Sequence, residues 1–150
     1  MTATKNFTVD TNILIYSVDR SEPEKQRVAD SILRALFLQR APLPLQTLNE
    51  FYHATTRKRL LTPVEASAFV RDTLMFALPI SSTQEDLTYA MRLHQTGELQ
   101  FFDSLLIATA ARAGCSTLFS EDLQDGRTYG SLTVHNPFKR SAEELAALIA

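Results

Sequence analysis

The chain has 150 residues, enough for one compact domain with a sizeable core, and its 45% hydrophobic content is that of an ordinary globular protein. Its net charge of −2 and pI near 5.9 argue against a protein held to nucleic acid by its overall field, so any such partner must be gripped locally. The single cysteine, Cys115, excludes an internal disulfide framework; no run approaches the roughly 18 apolar residues of a membrane span; the opening MTATKNFTVD lacks the apolar stretch of a secretory signal; a soluble cytoplasmic protein is expected.

Phe7-Thr8-Val9 reads as a buried strand that stops at Asp10 and feeds a helix through Ile13-Leu14-Ile15-Tyr16. Ser21 and Glu24 have capping-box spacing with Pro23 at an early helical position, and Val28, Ile32 and Leu36 then mark one helical face to about Arg40. Pro42 and Pro44 break that helix, and Leu43 to Gln46 form a second short strand. Thr47 and Glu50 suggest another capping box before a helix ending near Arg59, and Thr62, Pro63 and Glu65 start a helix to about Phe76.

Leu78-Pro79-Ile80 is a short extended piece, after which Ser82 or Thr83 opens a helix that stops at Gly97. Asp103 to Ala113 is an apolar helix closed by Gly114. Thr117-Leu118-Phe119 is a buried strand, Asp125-Gly126 a turn, Leu132-Thr133-Val134 a last strand, and Ser141 with Glu144 starts a terminal helix. No repeat, low-complexity tract or linker interrupts the chain, so residues 1–150 form a single domain. Short apolar strands alternating with amphipathic helices indicate an α/β protein with a parallel sheet in three layers. The crevice of such sheets lies beyond the carboxyl ends of the strands, toward which Asp10 and Asp122 project.

Acids stand at the termini of apolar elements: Asp10 ends a strand, Glu50 lies in the first turn of a helix, Asp103 opens a helix and Asp122 follows a strand. Each also has a structural explanation. Glu50 can close a box with Thr47, Asp103 can cap its helix, and Asp122 and Asp125 can be turn residues. Asp10, with apolar neighbours on both sides, is the hardest to explain that way, because a buried carboxylate is costly unless paired or metal-bound. Converging carboxylates repel unless a cation neutralises them, and oxygen ligands select magnesium, manganese or calcium over zinc. One or two such ions, completed by a phosphodiester, would activate a water for in-line displacement.

The run Val9-Asp10-Thr11-Asn12-Ile13-Leu14-Ile15-Tyr16 resembles the opening signature of PIN domains, particularly of VapC-type toxins. Leu48-Asn49-Glu50-Phe51 is similar to that family's second acidic motif, Phe102-Asp103-Ser104-Leu105-Leu106-Ile107-Ala108 to its third, and Leu118-Phe119-Ser120-Glu121-Asp122-Leu123-Gln124-Asp125-Gly126 to its fourth. The likeness runs in order over about residues 7–137. It implies a three-layer α/β/α PIN-like fold with a central parallel sheet, and a metal-dependent endoribonuclease using Mg2+ or Mn2+. Asp10, Glu50, Asp103 and Asp122 would be the catalytic and metal-binding acids. Asn12 and Ser120, the latter often Thr in the family, would orient ligands or the attacking water. RNA would be the substrate, a cognate antitoxin the partner, and a homodimer the assembly. Ser104 stands where many relatives carry a further acid, and Glu121 and Asp125 compete with the preferred Asp122 for the fourth role.

Other chemistries fit less well. Glu50-Phe51-Tyr52-His53 has the Glu-x-x-His spacing of di-iron helices but occurs once, so His53 is read as an ordinary helical histidine. Asn12 stands where a haloacid-dehalogenase-like phosphatase needs its second Asp. No H-E-x-x-H, C-x-x-C, G-x-S-x-G or phosphate-binding glycine loop occurs. Arg57-Lys58-Arg59 is read as a solvated helix end, with phosphate contact as its functional alternative. Phe101 and Phe102 are core or base-stacking candidates, and Cys115 is a buried small hydrophobe. The alternatives to an RNA-cutting toxin are a PIN-like binding module without turnover and a DNA-directed or 5′-end-directed nuclease on the same fold.

Overall fold

The computed structural model describes residues 6–150, so the reading of residues 1–5 as lacking a signal segment lies outside the described residues. In chain order the elements are β1 (Asn6–Val9), α1 (Thr11–Tyr16), α2 (Pro23–Leu38), β2 (Pro42–Pro44), α3 (Leu45–Arg57), α4 (Pro63–Phe76), β3 (Leu78–Ile80), α5 (Gln84–Gln95) and α6 (Phe101–Arg112). There follow β4 (Cys115–Phe119), β5 (Thr128–Tyr129), β6 (Leu132–His135), a 3₁₀ turn at Pro137–Lys139 and α7 (Ala142–Ile149). No described helix is long and apolar enough to cross a membrane.

The sheet order is β1-β4-β6-β5, with β1, β4 and β6 mutually parallel and the two-residue β5 antiparallel at the edge. The parallel pair β2-β3 lies with β2 beside β1. Side chains alternate across a strand, and the consecutive residues Leu118 and Phe119 enter different cores. On one face Phe7, Val9 and Phe119 pack with Ile13 and Leu14 of α1, Ile32 and Leu36 of α2 and Phe51 of α3. On the other, Leu118, Leu132 and Val134 pack with Leu106, Ile107 and Ala110 of α6. Two cores on opposite faces of one sheet make the expected three layers, and the antiparallel β5 is an addition that two residues were too few to announce.

Local signals explain most boundaries. Capping boxes form at Thr62/Glu65, Thr83/Asp86 and Ser141/Glu144. Gly114, at φ +83°, turns the chain out of α6 into β4 in a conformation that other residues rarely adopt. Cys115 is buried, and burial pushes its thiol up to about 12.

Two expected boxes are absent. α2 starts after Glu22 with no side-chain cap, while the Ser21 hydroxyl donates to Asp19 at 2.6 Å. α3 starts at Leu45, so the second strand ends at Pro44, and Thr47 donates back to the Pro44 carbonyl instead of bonding Glu50. Replacing Thr62 with Ala should therefore cost about 1 kcal/mol in urea denaturation. Ser21→Ala should cost less than half that amount, and equal losses would contradict the cap assignments.

Candidate active site

Asp10 leaves β1 with its backbone N–H still donating to Phe119 of β4 at 2.9 Å, so the sheet itself fixes its position. It caps α1: the Thr11 N–H donates to Oδ1 at 2.7 Å. The buried Ser120 hydroxyl donates to Oδ2 at 2.8 Å and accepts the N–H groups of Asp122 and Leu123 at 3.2 and 3.3 Å. One hydroxyl thus ties the first acid to the loop that carries the fourth. Asn12 makes a second tie: its Nδ2 donates to Asp122 at 3.1 Å and to Asp10 at 3.5 Å, and its Oδ1 accepts the Glu121 N–H at 3.3 Å.

Glu50 lies in the second turn of α3, one turn later than expected, because that helix begins at Leu45. Freed from capping, its carboxylate accepts from Thr11 Oγ1 at 2.7 Å and from Gln46 Nε2 at 3.1 Å. Gln46 also donates to the Phe102 carbonyl at 2.8 Å, joining α3 to the first turn of α6, and its Oε1 is buried without a hydrogen-bond partner among the described residues. Asp103 is the third residue of α6; the N-cap is Gln100, so Asp103 is not the cap. The neighbouring Ser104 is buried and donates back to the Gln100 carbonyl, away from the acids.

Electrostatics ties the acids together. Burial pushes the Asp10 carboxyl from its ordinary 3.8 up to about 6; the Ser120 and Thr11 hydrogen bonds oppose that rise, and the charges of Asp103 and Glu50 add to it. Asp103 is raised by its own burial and by Glu50 and Asp122. Among the described residues, no ion pair includes any of these four acids. The two competing acids are occupied elsewhere. Glu121 pairs with Lys25 at 3.0 Å and accepts from Tyr16. Asp125 accepts two bonds from Arg140 and the Asn136 N–H, which together hold its carboxyl below the usual range.

The oxygen-only donor set suits a hard divalent cation such as magnesium or manganese. Among the described residues no three acidic, histidine or cysteine side chains stand close enough to share one ion as they are. Such an ion would take one or two of these carboxylates directly and water for its remaining positions, as magnesium habitually does. His53 is exposed on α3, Phe102 is 62% exposed beside the acids, and Arg57-Lys58-Arg59 is the solvated end of α3. Sequence reasoning gave no role to Thr11, inside the first motif, or to Gln46, one helical turn before Glu50; that i,i+4 spacing is the available signal.

The sequence model of the PIN domain family matches residues 7–128. A toxin–antitoxin complex from Klebsiella pneumoniae has a similar structure, with a TM-score of 0.63 and 21% identity over 88% of this chain and 98% of that one. VapC20 of Mycobacterium tuberculosis, a toxin that cleaves the sarcin-ricin loop, gives 0.61 and 16% over 78% and 92%. VapBC2 of Rickettsia felis bound to promoter DNA gives 0.60 and 13% over 86% and 96%. No curated protein matches the chain by sequence.

A carboxyl raised on folding means that the folded state holds the proton more tightly. Asp10 therefore destabilises the protein progressively as pH rises from about 4 to 6, and fully above that. In chelator, Asp10→Asn should raise stability at pH 7.5 by on the order of 2 kcal/mol, and the gain should shrink toward pH 4.5 in thermal melts. A gain independent of pH, or a loss at pH 7.5, would contradict this account of Asp10.

Proposed function

The chain belongs to the PIN domain family, and from that membership we propose that it is a divalent-metal-dependent endoribonuclease, the toxin of a toxin–antitoxin pair. The observation that carries the reading is the buried Asp10 at the carboxyl end of β1, raised by its surroundings and by the charges of Glu50 and Asp103, with no basic side chain among the described residues paired to it. A protein gains nothing in stability from such an arrangement, and perturbed acids gathered at one sheet edge mark a functional site. By the same reading, a protein antitoxin would cover this acidic edge, and the toxin would work as a homodimer.

Asp10, Glu50, Asp103 and Asp122 would hold the metal, Mg2+ or Mn2+. When bound, it supplies positive charge to the phosphate and lowers the pKa of a coordinated water. Thr11 and Ser120 fix both oxygens of Asp10, so Asp10 serves as the anchor. Thr11 and Gln46 do the same for Glu50. Asn12 and Ser120 set the position of Asp122 and its loop. Asp103 carries a raised carboxyl beside Glu50 and Asp122 and accepts no hydrogen bond among the described residues, which leaves an oxygen free to take the proton of the attacking water. The water oxygen would then bond to phosphorus as the bond to a ribose oxygen breaks, and the leaving oxygen would take a proton from solvent while Asp103 returns its own to solvent.

The spacing of the acids, which are not drawn together tightly enough for three to share one ion, favours a second reading in which RNA is bound without turnover. One experiment separates the two. The purified chain is incubated with a panel of structured and single-stranded RNAs in Mg2+ or Mn2+, with and without excess chelator. Cleavage should require the ion, and Asp10→Asn should reduce it by more than about 100-fold, because even the loss of a residue supporting a metal ligand costs 10–100-fold. Cleavage undiminished in chelator would refute metal dependence, and RNA retained uncut with every ion would support the second reading.

A further inference from the structure

Beside Asp103 and Asp122 opens a cleft of about 740 Å³, lined also by Glu98, Gln100, Arg127 and Tyr129, within the range of a small-ligand site. Three of these six residues are acids, and Arg127 is the one cation among the lining residues. Its side chain is held in two ways. Nη2 donates to Glu98 at 2.6 Å, and the guanidinium carbon stands 5.6 Å from the centre of the largely buried Tyr129 ring. Its backbone is fixed more firmly: the N–H donates to the Gln124 carbonyl at 3.2 Å, and the carbonyl accepts the Val134 N–H of β6 at 2.9 Å.

The two holds differ in permanence. The ring and the backbone ladder place Arg127, whereas Glu98 and Arg127 are 50% and 40% exposed, and an ion pair that open to water contributes little. A guanidinium on a rigid base, facing a site for a reacting phosphate and covered by one weakly held carboxylate, is ready to exchange that carboxylate for a better anion. The need is plain, because a chain of net charge −2 cannot draw RNA by its overall field and must grip it locally.

We propose that Arg127 is a phosphate contact for RNA, flanking the scissile bond, and that Glu98 holds its place in the free protein. This inference rests on the reading of the neighbouring acids as an RNA-cutting site. On RNA arrival the Arg127–Glu98 pair opens, Glu98 turns to solvent, and the guanidinium bonds a phosphate while remaining over Tyr129. Arg127 sets affinity for the strand and takes no part in bond cleavage.

The test uses Arg127→Ala, Arg127→Lys and Glu98→Gln, each read twice. Binding is measured by fluorescence anisotropy on a labelled single-stranded RNA in an Asp10→Asn background, and cleavage by steady-state kinetics in the otherwise unchanged chain. Arg127→Ala should weaken binding and raise KM about tenfold with kcat within about twofold, and should reduce the salt slope of binding by about one. Arg127→Lys should recover part of the loss. Glu98→Gln should tighten binding roughly threefold, since it removes the competing carboxylate. Unchanged binding in Arg127→Ala, or Glu98→Gln weakening binding as Arg127→Ala does, as expected if the pair merely braces the loop, would overturn the inference. Failure here with intact RNA cleavage leaves the nuclease reading standing. A chain that binds RNA without cutting it still decides the question by anisotropy, and a chain that neither binds nor cuts RNA overturns both.

Discussion

A carboxylate buried among other carboxylates is the constraint on which the arrangement of this molecule turns. Asp10 stands at the end of a central strand with 7% of its surface exposed, and the Asp103 and Glu50 charges add to the desolvation that already favours its protonated form. A rise from 3.8 to about 6 corresponds to on the order of 3 kcal/mol against the ionised form at neutral pH, a substantial fraction of the stability of a small domain. That figure is what remains after the Ser120 hydroxyl and the Thr11 N–H have offset part of the cost of burial.

The surrounding residues keep three of the four acids, Asp10, Glu50 and Asp122, in place without neutralising them. Asn12 and Ser120 bond both Asp10 and the Asp122 loop, and Thr11 and Gln46 hold the two oxygens of Glu50. All four are uncharged, so they orient carboxylates and leave their charge uncompensated. The cations of the region go to other acids: Lys25, over the Tyr16 and Phe138 rings, takes Glu121, Arg140 takes Asp125 and Arg127 takes Glu98. Adjacent acids thus have opposite fates. Glu121 and Asp125 secure the chain after β4, while Asp122 is left to the cleft with Asp103.

The strand-to-helix passage at Asp10 was legible because Phe7 to Val9 and Ile13 to Tyr16 are apolar on either side of one acid, and burial of that acid followed. The helix starts at Thr62 and Ser141 were legible from their own side chains, which close the turns they open, whereas the start left between Ser82 and Thr83 falls to Thr83. Glu50 and Asp103 were placed on the right elements with the wrong helix starts. α3 begins three residues and α6 two residues before the expected point, after Pro44 and Gln100, neither of which caps with its side chain. The cap explanations for those two acids fall with the boundary, and their carboxylates are left for the site. Thr11 and Gln46 were not legible as site residues, because their role depends on α1, α3 and α6 meeting in space, as the bonds Thr11–Glu50 and Gln46–Phe102 record.

On the proposed function, the negative charge at this sheet edge receives a divalent cation. The most direct measurement is a crystal structure of the chain soaked in manganese, with the ion located by its anomalous scattering. The account predicts manganese touching Asp10 and at least one of Glu50, Asp103 and Asp122, with water filling its other positions. Manganese absent at saturating concentration, or bound only at unrelated surface carboxylates, would contradict it.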